Sequence, residues 1–338
     1  MKSPIRILAV DGGGVGGMIP ARLLQRMGPR VIEQADLVAG TSTGGLIALG
    51  LAAGQTAEQM CELYLTRIKD VFSSSNRRFI VRRLWRAKYR NKGLRQAVES
   101  IVGQKTLGDL MAKPALVPVT ALTRADGAHH PAGVFLSTAF RLTGYANEEK
   151  YGSSHWKCVD IALSTAAAPT FFPAYEVNNP LTGQKGKWVC WDGGIVANDP
   201  ALAAYGEILR LDLAERKEDV RTHAAPPPDV RVLSLGCGYR NIDIKAGDWG
   251  LLQSAQPVVS ALLDASVGST AFLLRQVLGD RALRVSPPLA ADYAMDDPKA
   301  VPGLNDLANT FYDKDRTSIR QPDFTPANLD EWLNKYWF

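Results

Sequence analysis

The chain has 338 residues, of which 46% are hydrophobic and 22% are charged, and a formal net charge of +5 at pH 7. These fractions are typical of a soluble globular protein. The four cysteines lack the spacing of a disulfide framework or of a zinc site, which argues against both and makes a reducing cytoplasm the expected compartment.

The chain begins with a predicted strand, a glycine-rich loop and a helix. Ile5 to Val10 is a short apolar run that ends at Asp11, and glycines occupy five of the six positions from Gly12 to Gly17. Apolar side chains at helical spacing then predict a helix from Met18 to Met27.

Three interpretations of the glycine loop are open. Gly12, Gly14 and Gly17 fit the G-x-G-x-x-G pattern of a dinucleotide site, although the acidic candidate Asp36 precedes the second strand instead of ending it. Consecutive glycines also let backbone N–H groups converge on an acyl oxygen, as in an oxyanion hole. The third interpretation is a turn with a structural role alone.

A second predicted strand, Leu37 to Ala39, ends in a sharp turn that carries a serine. The residues of this turn, which form a G-x-S-x-G nucleophile elbow, are Gly40, Thr41, Ser42, Thr43 and Gly44. The Ser42 hydroxyl would be exposed at a helix N-terminus, and a helix N-terminus favours developing negative charge. The uncharged run from Leu37 to Ala57 contains five glycines, so we expect a buried helix there and not a membrane span. The first 55 residues predict a β-α-β-α unit with a parallel sheet.

A capped helix and a basic segment follow. Thr56 to Gln59 resembles a capping box and predicts a helix to about Phe72. From Val71 to Val98 the chain has nine basic residues and no acidic one, with aromatic and aliphatic side chains among them. This mixture suits a segment on an anionic membrane surface, while nucleic-acid binding and a solvated lid are the alternatives. The side chains predicted to face the membrane are Arg77, Arg78, Arg82, Arg83, Trp85, Arg86, Lys88 and Arg90.

The remaining chain alternates between predicted strands and helices. Thr106 to Asp109 resembles another helix start, and a turn is expected at Asp126-Gly127. The other predicted elements are strands at Ala115–Thr123 and Gly133–Phe140, a helix at Cys158–Ala168, a strand at Lys187–Trp191, a helix from Asp199 to about Leu213, and strands at Val230–Leu235 and near Leu283–Val285. The region beyond Leu251 is otherwise predicted to be mostly helical, with a last helix capped by Thr325.

Asp192, with Gly193 and Gly194 beside it, forms a second site-like turn at the end of an apolar strand. Paired with Ser42 it would be a catalytic base, whereas Asp-Gly-Gly alone is a common turn. A Ser-His-Asp triad with His223 is an alternative, because the three residues follow the chain order of α/β-hydrolases. Against the triad, Ser42 follows only the second strand, and His223 lies in a linker rich in alanine and proline. A non-catalytic membrane-binding or nucleotide-binding protein is the alternative from another class.

Four motifs occur in one order: Asp11-Gly-Gly-Gly, Gly40-Thr-Ser-Thr-Gly-Gly, Ser164-Thr-Ala-Ala-Ala-Pro-Thr-Phe-Phe-Pro and Asp192-Gly-Gly. Together with Asn198-Asp199-Pro200 they make the chain resemble the patatin-like phospholipases. The resemblance is close over about residues 5 to 240 and loose over the helical part from 241 to 338. It implies a single domain over residues 1–338 with a three-layer α/β/α fold and a mostly parallel central sheet.

The implied activity is that of a phospholipase A-type lipid acyl hydrolase, which cleaves membrane glycerolipid esters through an acyl-enzyme without a metal or other cofactor. Carried onto this chain, the resemblance makes Ser42 the nucleophile and Asp192 its partner. Gly12, Gly13 and Gly14 would line the oxyanion hole. The family pattern usually has an arginine where this chain has Gly16, so a cation beside the loop is missing from the motif.

The implied partners are membrane phospholipids and an anionic membrane surface, approached from the cytoplasmic face as a peripheral protein. The resemblance weakens the nucleic-acid interpretation of the basic segment. Some bacterial members of the family are activated by a cyclic nucleotide, which leaves a small-molecule activator open for this chain.

Overall fold

A computed structural model describes residues 4–73, 87–123, 132–142, 153–178, 186–217, 227–239, 251–291, 293–323 and 325–338. Its central sheet has eight strands. These strands, β1 to β8, are Ile5–Val10, Leu37–Gly40, Ala115–Thr123, Ala132–Ser137, Tyr175–Asn178, Lys187–Trp191, Val230–Leu235 and Ala282–Val285. A separate antiparallel pair consists of β9, Ile319–Arg320, and β10, Pro326–Ala327.

The central sheet is mixed, and its middle is parallel. Its strand order is β5-β6-β3-β2-β1-β7-β8, with β4 also paired to β3. The ladders β1–β2, β2–β3, β1–β7 and β7–β8 are parallel, whereas β3–β4, β3–β6 and β5–β6 are antiparallel. The predicted α/β class with a mostly parallel central sheet is therefore confirmed. Because β1 and β2 are parallel neighbours, the loops after them meet at one edge of the sheet.

Helices cover both faces of this sheet. The described α-helices, α1 to α12, are Met18–Met27, Pro29–Gln34, Thr43–Ala52, Ala57–Thr66, Ile68–Val71, Asn91–Val102, Cys158–Thr165, Gly194–Ala197, Ala201–Arg216, Leu251–Leu278, Val301–Lys314 and Leu329–Trp332. Alternate side chains of β1 enter two different cores: Ile5 and Ile7 pack with α9 residues, and Leu8 and Val10 with α1 and α3 residues. Burial on both faces explains why β1 is apolar apart from Arg6, whose Nε donates to the Trp337 carbonyl at 2.6 Å, and the three layers are those expected.

Several predicted elements have the predicted ends. The strands β1, β3, β6 and β7 and the helix α1 begin and end at the predicted residues. The capping box at Thr56 is also confirmed, since its side chain accepts the Gln59 N–H and the Gln59 side chain accepts the Thr56 N–H. The helix it caps ends at Thr66, and the short α5 carries the chain to Val71.

Two predicted helix starts are wrong. Thr106 does form a capping box with Asp109, but only a short 3₁₀ turn from Leu107 to Asp109 follows it. Pro114 restricts the preceding residue to an extended conformation, and β3 begins immediately after it, which leaves no room for a helix. The last helix is capped by Asn328 and not by Thr325, because the Asn328 side chain accepts the N–H groups of Asp330 and Glu331.

Three predicted boundaries also differ. The strand predicted to reach Phe140 ends at Ser137, where a 3₁₀ turn from Ala139 to Leu142 begins. The helix predicted to reach Ala168 ends at Thr165, and the helix predicted to end at Leu213 continues to Arg216. The predicted turn at Asp126-Gly127 lies outside the described residues. Within the described ranges, no helix combines the length and the apolar character that a membrane crossing requires.

Candidate active site

Ser42 occupies the sharp turn between β2 and α3, with a backbone φ of 52° and ψ of −118°. This conformation is strained for a residue with a side chain. A Cβ atom on Gly40 would lie 2.0 Å from the Gly44 carbonyl oxygen, and one on Gly44 would lie 2.2 Å from the Val10 carbonyl oxygen. Both glycines of the G-x-S-x-G pattern are thus required by the close approach of backbone to backbone.

Two threonine hydroxyls hold the elbow against neighbouring elements. The Ser42 N–H donates to Thr165 Oγ1 at 3.0 Å, and that hydroxyl donates to the Pro118 carbonyl at 2.7 Å. The hydroxyl of Thr41 donates to the Ala197 carbonyl at 2.7 Å. Thr165 was part of a sequence motif but had no predicted role, because its contact with Ser42 spans 123 residues of sequence.

Asp192 lies at the carboxyl end of β6, and it lines the same cavity as Ser42. The Gly194 N–H donates to Asp192 Oδ1 at 2.7 Å, and the Thr120 hydroxyl donates to the Asp192 carbonyl at 2.7 Å. Burial raises the pKa of the Asp192 carboxyl to about 7, while the Gly194 N–H and the nearby Ser42 hydroxyl act in the opposite direction. A carboxyl with that pKa can accept a proton near neutral pH.

The two glycines after Asp192 fit into tight surroundings. A Cβ atom on Gly193 would lie 2.1 Å from the Pro118 carbonyl oxygen, and one on Gly194 would lie 2.6 Å from Leu263 Cδ2. The Gly193 N–H donates to the Thr165 carbonyl at 3.1 Å. The turn that carries Asp192 and the elbow that carries Ser42 are therefore both bound to Thr165.

The glycine loop after β1 runs alongside Ser42. A Cβ atom on Gly12 would lie 3.3 Å from Ser42 Cβ and 2.3 Å from Asn198 Oδ1. Gly14 has a φ of +58°, and a Cβ there would lie 2.1 Å from the Met295 carbonyl oxygen. The structure thus brings Gly12, Gly14, Ser42 and Asp192 to one site, because Gly14, Ser42 and Asp192 line one cavity and Gly12 lies against Ser42.

Asn198 holds the start of this loop. The Gly12 N–H donates to the Asn198 carbonyl at 3.1 Å, and the Asn198 side-chain amide donates to the Gly12 carbonyl at 3.4 Å. Among the described residues, the N–H groups of Gly13 and Gly14 have no such backbone acceptor. Of the three predicted oxyanion-hole glycines, Gly12 therefore has its N–H engaged, and Gly13 and Gly14 remain as candidate donors.

An apolar cavity opens beside Ser42 and Asp192. The side chains of Leu46, Phe171 and Phe172 are among those that line it. Thr43 and Tyr64, which also line the cavity, are hydrogen-bonded to each other through their hydroxyl groups. Most of the lining has no polar group, so the cavity suits a hydrocarbon chain attached to a carbonyl at Ser42.

Residues 74–86 of the basic segment fall outside the described residues, and they include Arg77, Arg78, Arg82, Arg83, Trp85 and Arg86. Of the residues predicted to face a membrane, Lys88 and Arg90 are described. The Lys88 ammonium group forms an ion pair with the buried Asp296, which lines the Ser42 cavity. Arg90 is exposed. Lys88 therefore has an internal partner, and membrane contact by the rest of the segment stays a prediction.

The structure describes only part of the two alternative sites. His223 falls outside the described residues, as do His129 and His130, and His155 is exposed. Asp36, the candidate for a dinucleotide ribose, accepts the Arg6 N–H at 2.9 Å and precedes β2, at the end of that strand opposite to Ser42.

The chain is similar to a known protein family and to several of its members. Residues 8–205 match the model of a family described as patatin-like phospholipase. The chain is 31% identical over 298 residues to Patatin-like protein 2 of Oryza sativa subsp. indica, which covers 78% of this chain and 70% of that protein. It is 28% identical over 342 residues to a cGAMP-activated phospholipase of Pseudomonas aeruginosa, with 95% of this chain and 90% of the relative covered.

Solved structures give weaker matches. The crystal structure of VipD from Legionella pneumophila superposes with a TM-score of 0.39 at 12% sequence identity, and 91% of this chain is covered. The chain spans 66% of the length of VipD and 52% of the length of the type III effector ExoU.

Proposed function

Since the chain belongs to the patatin-like phospholipase family and is thereby a carboxylic ester hydrolase, we propose that it cleaves lipid acyl esters with Ser42 as nucleophile and Asp192 as base. One observation carries the proposal. Ser42 lines the same cavity as a buried carboxyl, that of Asp192, whose pKa is raised to about 7. A nucleophile beside a base of suitable pKa is the arrangement that acyl transfer requires.

In the first step, Ser42 Oγ attacks the acyl carbonyl carbon while its proton passes to the Asp192 carboxylate. The carbonyl π electrons move onto oxygen and form a tetrahedral oxyanion. We assign the N–H groups of Gly13 and Gly14 to this oxyanion, because the Gly12 N–H is donated to Asn198. The N-terminus of α3, at Thr43, adds a partial positive charge on the same side of the elbow.

The second half of the cycle reverses these roles. The oxyanion collapses, the ester bond to the alcohol breaks, and the protonated Asp192 gives its proton to the leaving oxygen. The acyl group then remains on Ser42 Oγ. A water molecule attacks the carbonyl of this acyl-enzyme while Asp192 takes a proton from the water. The second tetrahedral oxyanion collapses, the bond from the acyl carbon to Ser42 Oγ breaks, Asp192 returns the proton to Oγ, and a fatty acid leaves. Each proton transfer uses the one carboxyl group, so the cycle needs no histidine.

The cavity suggests which part of a phospholipid occupies which part of the site. An acyl chain would lie along Leu46, Phe171 and Phe172, since burying a methylene group contributes about 0.8 kcal/mol. The ester carbonyl would then be at Ser42, and the polar head group would face the bilayer surface. This orientation is that of a phospholipase A acting as a peripheral protein on a membrane.

The test is fatty-acid release from mixed phospholipid vesicles without calcium. Ser42→Ala and Asp192→Asn should each abolish release, and the lysophospholipid products would identify the bond that is cleaved. Asp306→Asn, an exposed carboxylate on α11, is the matched control and should behave as wild type. The assay should be run with and without cGAMP, because relatives are named cGAMP-activated phospholipases. Undiminished release by folded Ser42→Ala protein would contradict the proposal.

A further inference from the structure

We infer that Arg284 is a positioning residue for the catalytic loop, a role that rests on the proposed function. Its guanidinium group binds Asp11 and Asp199, and through these two carboxylates it holds the glycine loop against the segment that follows the Asp192 turn. Arg284 lies on β8, outside residues 8–205 that match the family model.

The guanidinium group reaches both carboxylates from the edge of the parallel ladder, where Arg284 is in register with Ser234 of β7. Its Nη1 lies 2.7 Å from Asp11 Oδ1, 3.1 Å from Asp199 Oδ2 and 2.7 Å from Ser234 Oγ. Its Nη2 donates to Asp11 Oδ2, so the contact with Asp11 is bidentate. The Ser234 hydroxyl donates to Asp199 Oδ2 at 2.8 Å, which closes the network.

The network is buried, and its charges depend on one another. The side chains of Asp11, Asp199 and Arg284 are 4%, 0% and 12% exposed. Burial lowers the pKa of Arg284, but the Asp11 and Asp199 carboxylates outweigh burial and raise that pKa above its ordinary value. The cation is therefore maintained, and it lies between the two buried carboxyl groups. It acts to lower the pKa of Asp11, but burial outweighs it and raises that pKa to about 7.

The two carboxylates lie at positions that control the site. Asp11 directly precedes Gly12, and Asp199 directly follows Asn198. Gly12 and Asn198 are bonded to each other through the Gly12 N–H and the Asn198 carbonyl. Arg284 thus ties together the same two segments that this hydrogen bond joins, through the residue before Gly12 and the residue after Asn198. Displacing either segment would move the N–H groups of Gly13 and Gly14 away from an oxyanion on Ser42.

The cation beside the loop comes from a distant part of the chain. Position 16 carries no side chain, and a Cβ there would lie 3.1 Å from Cys237 Cβ. The cation that binds the loop's first residue is instead 273 residues away in sequence. The sequence alone therefore gave no indication of it.

A second cavity gives access to this network. It has a volume of about 520 Å³, is lined by Asp11, Gly13, Gly16 and Arg284, and shares Gly13 with the Ser42 cavity. Removing the Arg284 side chain would empty the space that its guanidinium group fills. A small planar cation could reach that space through the second cavity. Free guanidinium can therefore serve as a probe of the role that Arg284 has.

The experiment compares Arg284→Ala with wild type on a soluble short-chain ester. We expect kcat to fall about 100-fold with KM changed less than about threefold, because a displaced oxyanion hole weakens binding of the transition state and not of the substrate. Guanidinium at low millimolar concentration should restore kcat at least tenfold. Arg281→Ala, a surface arginine in the turn before β8, is the control and should show neither the loss nor the rescue.

Arg284→Lys decides the matter if Arg284→Ala does not fold. It keeps the charge but loses the bidentate contact, so kcat should fall about tenfold while the melting temperature stays near that of wild type. Wild-type kcat in Arg284→Lys, or a loss in folded Arg284→Ala that guanidinium does not restore, would overturn the inference. Absence of turnover and of Ser42 labelling by a fluorophosphonate in wild type would instead overturn the proposed function.

Discussion

The Ser42 backbone N–H and the Thr165 hydroxyl form a hydrogen bond of 3.0 Å that joins the nucleophile elbow to the end of α7. The carbonyl of the same threonine accepts the N–H of Gly193, in the turn that carries Asp192. One buried residue therefore binds both sides of the proposed dyad. Its position sets the geometry in which the serine hydroxyl and the carboxyl meet.

We predict that Thr165→Val lowers kcat at least tenfold and that Thr165→Ser retains most of it. Valine has nearly the same shape but leaves the Ser42 N–H and the Pro118 carbonyl without a partner, at a cost of about 1–3 kcal/mol for each buried group. Steady-state kinetics and thermal unfolding of both variants provide the check. Equal activity of the valine and serine variants would show that the hydroxyl does not position Ser42.

The activity should depend on pH through Asp192. Its pKa is raised to about 7, and only the ionised carboxylate can accept the Ser42 proton. We therefore expect kcat/KM for a soluble ester to rise from pH 5 to pH 8, with its midpoint near pH 7. A profile that is flat over this interval would contradict a base with this pKa.

Gly14→Ala should abolish turnover. Gly14 has a φ of +58°, and an added methyl group would lie 2.1 Å from the Met295 carbonyl oxygen, so the loop would have to move. Gly206→Ala is the matched control, because this glycine lies in α9 with no atom within 4 Å of the added Cβ. The control should keep full activity and gain up to about 1 kcal/mol of stability from helix propensity. Turnover by Gly14→Ala at the wild-type rate would exclude this loop from the oxyanion hole.

Leu46→Trp should shift the enzyme toward shorter acyl chains. Leu46 lies one helical turn after Ser42 and lines the apolar cavity, so a larger side chain there shortens the space beyond the carbonyl. We expect kcat/KM for long-chain esters to fall at least tenfold relative to short-chain esters. An unchanged ratio of the two would show that the acyl chain does not occupy this cavity.

The sequence predicted the elements whose signals are local. The strands β1 and β7 are mostly apolar segments bounded by polar and glycine residues, and their ends agree with the structure. At Thr106 the capping signal was present, yet the proline before β3 decided the outcome. At Thr325 the signal was wrong, because Asn328 offers a better-placed side chain three residues later. Local signals therefore fail where a neighbouring element competes for the same residues.

The candidate site was predictable only in part, for a related reason. Ser42 and Asp192 stand in motifs whose turns need glycine, so the pattern is visible in the sequence. Thr165 and Arg284 act through contacts that span 123 and 273 residues, and no local pattern distinguishes them from other polar residues. The hydrogen bond from the Gly12 N–H to the Asn198 carbonyl was equally unpredictable from the sequence, because it depends on how two loops meet.

The most direct test of a Ser42–Asp192 dyad is the rate at which a fluorophosphonate labels the protein, with the labelled residue identified by peptide mass spectrometry. The wild type and His223→Ala should be labelled on Ser42 at similar rates, because in the proposed dyad Asp192 takes the serine proton directly. Asp192→Asn should be labelled at least 100-fold more slowly. Slow labelling of His223→Ala, fast labelling of Asp192→Asn, or a label on another residue would contradict the account.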